Sequence, residues 1–99
     1  MNRLLFENYA DQVASIVGVQ KKELYVKCKS RWLVDGRYML YYLCHKTPMQ
    51  ITYIQRNMAE NGYEVSHSTI IHGIKQAEIK MEKDETWRDC LKKIEECIH

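Results

Sequence analysis

Ninety-nine residues, 45% of them hydrophobic and 28% charged, suffice for one small core and exclude both a second domain and wholesale disorder. The net charge of +2 is too small to name a polyanionic partner by itself. The apolar runs are broken every few residues by Lys, Asp, Gln or Arg and carry no pattern of a membrane span or signal peptide, so the expectation is a soluble cytoplasmic chain with no membrane partner. In that setting Cys28, Cys44, Cys90 and Cys97 are expected to be reduced.

One proline and four glycines among many Leu, Met, Lys, Glu and Gln residues favour an all-α chain of five or six helices. A first helix over about residues 3–17 aligns Leu5, Tyr9, Val13 and Ile16, and Gly18 stops it. A short helical turn follows at 20–26 with Leu24 and Tyr25 inward. After a basic loop, a helix from about Val34 to Lys46 buries Met39, Leu40 and Leu43. Thr47-Pro48 then interrupts the chain. Thr47, Pro48 and Gln50 fit a capped helix start, and they fit a loop ending near Gln50 equally well. The helix opened there carries Ile51, Ile54 and Met58 inward and ends at Asn61-Gly62. The next runs from Ser66 to about Lys83. A last amphipathic helix from about Thr86 stacks Trp87, Leu91, Ile94 and Ile98 on one side.

The helix from Ser66 is the most informative element. Ser66 is a good N-cap, and Ile70, Ile74, Ala77 and Met81 form an apolar stripe behind it. Polar side chains (His67, Ser68, Thr69) therefore crowd the exposed first turn of a packed helix. The reading helix of a helix-turn-helix, here spanning about residues 50–83, presents its N-terminal residues to base edges in the same way. His67 can donate or accept at a base or phosphate, while Ser68 and Thr69 suit phosphate or thymine-methyl contacts and equally suit local capping. Lys75, two turns on, would meet phosphates if the helix docks end-first. His72 is as readily a packing residue as a contact.

The charges are unevenly spread. Residues 21–37 carry six cations (Lys21, Lys22, Lys27, Lys29, Arg31, Arg37) against Glu23 and Asp35, whereas residues 78–96 hold seven acids against five bases. A basic front and an acidic back would orient the domain on a polyanion. From an extended loop, Lys29 and Arg31 can reach a narrow minor groove or its phosphates. Arg37 reads either as a phosphate anchor or as a helix-surface charge. Tyr38, Tyr41 and Tyr42 read as core and rim rather than as a base-stacking platform.

These pieces together resemble the C-terminal DNA-binding domain of the bacterial replication initiator DnaA. The likeness rests on Ser66-His67-Ser68-Thr69-Ile70-Ile71-His72-Gly73, on Lys29-Ser30-Arg31, on Arg37-Tyr38-Met39-Leu40-Tyr41-Tyr42-Leu43 and on Ile54, and it covers about residues 6–83. It implies a Trp-repressor-like helical domain that binds double-stranded DNA through Lys29, Arg31, Arg37, Ser66, His67, Ser68, Thr69 and Lys75. The chain departs from the family where an arginine and an aspartate precede the histidine: Val65 and Ser66 stand there instead. The turn from Asn61 to Val65 is also longer. No Gly-rich phosphate loop occurs, so the ATPase activity and initiation of replication are not implied.

No Cys-x-x-Cys or His-x-x-x-His spacing suggests a metal, and His67 beside Ser68 builds no triad, since helix neighbours point apart. The expectation is a binding module with no cofactor, no small-molecule substrate and no catalytic activity. The runner-up keeps the fold and binds a protein in place of DNA, as an adaptor or antagonist of a replication or transcription factor.

Overall fold

The computed structural model describes residues 2–27 and 30–98, and the chain is all-α: α1 (Asn2–Val17), a 3-10 turn (Lys21–Tyr25), α2 (Arg31–Lys46), α3 (Ile51–Glu60), α4 (His67–Lys83) and α5 (Glu85–Ile98), with no strand among the described residues. Gly18 ends α1 with φ +79°, a conformation that costs glycine nothing, and both Gly18 N–H and Val19 N–H donate to the Ala14 carbonyl. Gly62 (φ +87°) ends α3 in the same manner, with Gly62 N–H on Ala59 and Tyr63 N–H on Met58. Lys21 in the 3-10 turn pairs with Glu7 and Asp11 of α1. Partial burial of Glu7 raises its pKa, but hydrogen bonds from Lys21 and Asn61 outweigh this and hold its carboxyl below the usual range.

One boundary differs from the sequence expectation, and another follows the second of two open readings, the loop ending near Gln50. α2 begins at Arg31, three residues before Val34, because Ser30 is already extended and its carbonyl accepts from Val34 N–H at 3.0 Å. Arg31 therefore belongs to the first turn of a helix rather than to an extended loop. α3 opens behind Gln50, whose carbonyl accepts from Tyr53 and Ile54. Thr47-Pro48 is a cis peptide in the connection, where the Thr47 hydroxyl donates to Cys44 O at 2.7 Å.

The core takes Phe6, Tyr9 and Val13 from α1, Leu40 and Leu43 from α2, Ile54 and Met58 from α3, Ile70 and Ala77 from α4, and Leu91 and Ile94 from α5. Phe6 and Ala10 sit deeper than the expected Leu5 and Ile16, so the inward face of α1 is rotated by about one residue. Cys44 is fully buried, and burial pushes its thiol well above the usual range, which disfavours the thiolate.

α2 is the strut against which α4 is laid. At the crossing, a Cβ built on Gly73 would stand 2.7 Å from Tyr38 Cδ1 and 2.9 Å from Tyr41 Cδ2. Only glycine lets the helices approach this closely with both rings in place. Farther along, half-buried Lys80 places its Nζ 3.3 Å from the buried Asp35 carboxylate and 5.2 Å from the Trp87 ring centre. Asp84 joins α4 to α5. Its N–H donates to Lys80 O at 2.7 Å, and its Oδ1 accepts from Thr86 N–H at 3.0 Å.

Candidate nucleic-acid interface

Ser66 caps α4: its hydroxyl accepts from Thr69 N–H at 3.2 Å, and its backbone is extended as an N-cap requires. Its Oγ also lies 2.9 Å from Thr69 Oγ1, so the threonine hydroxyl is held within the cap. Ser66, His67, Ser68 and Thr69 are all exposed, while Ile70 next to them is fully buried. The sequence pattern thus yields a rigid, outward-facing first turn anchored from beneath. Ser66→Ala is expected to cost about 1 kcal/mol of unfolding free energy, and Ser66→Asp to preserve it, when both are measured by chemical denaturation.

Helical spacing places Ser68, His72, Lys75, Ile79 and Glu82 along one stripe of α4, with Ile71 and Glu78 at its edge, all exposed. His72 stands edge-on to Tyr38, with ring centres 6.0 Å apart, so it packs against α2 while remaining open to solvent. Lys75 is the cation on this stripe, exposed Ile71 and Ile79 interrupt its polar surface, and Glu78 and Glu82 make its far end acidic.

The turn before α4 is fixed to its surroundings. Gln55 Nε2 of α3 donates to Val65 O at 2.8 Å. Asn61 Nδ2 donates to Asn57 O at 2.8 Å and to Glu7 of α1 at 3.3 Å. Val65, standing where the resemblance has an arginine, is buried.

The cationic residues divide. Lys27 and Arg31 are exposed, and Lys75 is exposed on α4. Lys29 lies outside the described residues. Arg37, expected at the surface, is only 5% exposed. Its Nη1 donates to Leu24 O and Val26 O, each at 3.2 Å, and its guanidinium lies 4.9 Å from the Tyr63 ring centre. Arg37 is therefore withdrawn from the solvent-facing set, because carbonyls at the end of the 3-10 turn and an aromatic face take the place of water around it. Tyr41 and Tyr42 are core residues, and Tyr38 is half-buried.

The chain matches no family model and no curated protein.

Two features escaped the sequence reading. Arg56 and Tyr53 are exposed together on α3, with the guanidinium 5.5 Å from the ring centre. Their i, i+3 spacing on the polar side of α3 was the available signal. Trp32, next to Arg31, is 66% exposed. It edges a cleft of about 180 Å³ between α1, α2 and α5, lined also by Ile16, Met39, Trp87 and Cys90. Among the described residues, no three His, Cys, Asp or Glu side chains converge as a metal-holding group, and no helix is long and apolar enough to cross a membrane.

Proposed function

We propose that this chain is a double-stranded-DNA-binding module of the helix-turn-helix kind, similar to the C-terminal domain of DnaA but without ATPase activity, acting as a cytoplasmic regulator rather than an enzyme. α3 and α4 would form the motif. The observation that carries this reading is the first turn of α4: a Ser66-capped helix end with His67, Ser68 and Thr69 in solvent and Ile70 locked beneath. Free N–H groups and the positive end of the helix dipole favour phosphate there. Lys75 extends the attraction, whereas Glu78 and Glu82 would repel phosphates. That polarity favours an end-first approach to the major groove over a helix lying along it.

With Arg37 buried and Lys21 held by Glu7 and Asp11, we assign four cations to the backbone: Lys27, Lys29, Arg31 and Lys75. Four phosphate contacts give a slope of log affinity against log salt of about −3.6, hence about a hundredfold loss between roughly 50 and 200 mM salt. Titration of a labelled random duplex across that range tests the reading. Lys29→Ala and Arg31→Ala should each reduce the slope by about one and weaken all duplexes alike.

A second reading rests on Trp32. A tryptophan this exposed beside a largely apolar cleft, which also takes in Asp35 and Thr86, suits a protein partner. Duplex affinity that is absent at low salt, or indifferent to salt, would defeat the DNA reading and leave this one.

A further inference from the structure

We infer that Arg37 is a positioning residue that clamps the root of the basic segment to the segment leading into α4, and so fixes the spacing between the two parts of the DNA face proposed above. The inference rests on that DNA reading for its purpose, though the clamp itself can be tested without DNA. One guanidinium bonds both Leu24 O and Val26 O, two of the three carbonyls just before Lys27. The same group lies 4.9 Å from the Tyr63 ring, three residues before the Ser66 cap. Its Cα is on α2, beside Tyr38 and Tyr41, where Gly73 of α4 crosses. Three stretches distant in sequence, at 24–26, 37 and 63, thus meet on one side chain.

The chemistry calls for arginine in particular. One terminal nitrogen donates to both carbonyls while the flat guanidinium lies against an aromatic ring, and an ammonium placed on the carbonyls has no planar face to set there. A buried cation facing carbonyls and a ring is also costly to move, because any shift leaves its charge without those partners. At 5% exposure it reaches no phosphate, so its effect on DNA is indirect. This separates it from Arg31 and Lys75, whose charges face solvent.

The test uses the full chain with Arg37→Lys and, because that variant risks the core, Tyr63→Leu, which removes only the aromatic face. Hydrogen exchange of the free protein is the first measurement. Both variants should exchange faster at Val26, Lys27 and the 63–65 segment, with α1 and α5 amides still protected. The second measurement is duplex affinity against salt. Both variants should bind about three- to tenfold more weakly with the slope unchanged, whereas Arg31→Ala lowers the slope by about one. The double variant should lose no more than Arg37→Lys alone.

Unchanged exchange at both 26–27 and 63–65 in both variants overturns the clamp. A slope reduced by about one in Arg37→Lys also overturns it, since Arg37 would then be a phosphate contact. If the unaltered chain binds no duplex, the DNA reading fails, and the exchange data still decide whether the clamp exists.

Discussion

Gly73→Leu is expected to cost about 3 kcal/mol in urea denaturation, near the upper end for overpacking a well-filled core. The alanine variant is the more instructive. In an open helix Gly→Ala would stabilise by about 1 kcal/mol through backbone entropy. Here the added methyl would sit 2.7 Å from Tyr38 Cδ1 and 2.9 Å from Tyr41 Cδ2, closer than real Cβ contacts. The tyrosines are held by their ring bodies, not by flexible ends, so the strain is shared with the α2 and α4 backbones. Overpacking of about 1–3 kcal/mol less the propensity gain leaves Gly73→Ala destabilising by about 1 kcal/mol. A stabilised alanine variant would show that the rings yield freely and that the crossing does not depend on glycine.

The second large effect concerns sequence reading by the first turn of α4. His67→Ala or Thr69→Ala should cost roughly 1–3 kcal/mol on a site selected from a random duplex pool and much less on unselected DNA. His67 is the sharper probe. Its ring is exposed with no capping duty in the structure, whereas Thr69 Oγ1 is 2.9 Å from the Ser66 hydroxyl. Thr69→Val keeps the methyl and removes the hydroxyl, so it separates thymine contact from cap support. Equal losses on selected and unselected DNA for the His67 and Thr69 variants would mean that this turn does not read bases. All variants are compared at one ionic strength, since phosphate contributions change steeply with salt.

Helix locations were legible because their signals are local. Gly18 and Gly62 sit at positive φ where the sequence asked for stops, Ser66 caps α4, and the stripe Ile70, Ile74 and Ala77 faces the core. What was illegible depends on distant partners. Arg37 reads as a surface charge because its acceptors at 24 and 26 and its ring at 63 leave no periodic trace. Gly73 enters the sequence only as the end of the Ser66–Gly73 motif, and its packing role appears once the tyrosines of α2 are brought against it. The start of α2 was misplaced because Arg31 and Trp32 lie in solvent, and an apolar stripe cannot announce turns that bury little. Asp84 was overlooked for a related reason: a single acid that ends one helix and starts the next offers no pattern beyond itself.

The Gly73 crossing also has a mechanical meaning. From that point α4 extends six residues back to His67 and eleven forward to the Asp84 elbow, about 9 Å and about 16 Å at helical rise. If the tight contact acts as a fulcrum, the helix is a lever whose short arm bears the candidate contact residues. A displacement of the elbow then reaches the first turn in the opposite sense and scaled down by nearly half. Disturbance at the α5 end is thus attenuated before it arrives at Ser66, where buried Ile70 and the Gln55 bond to Val65 O hold the short arm as well.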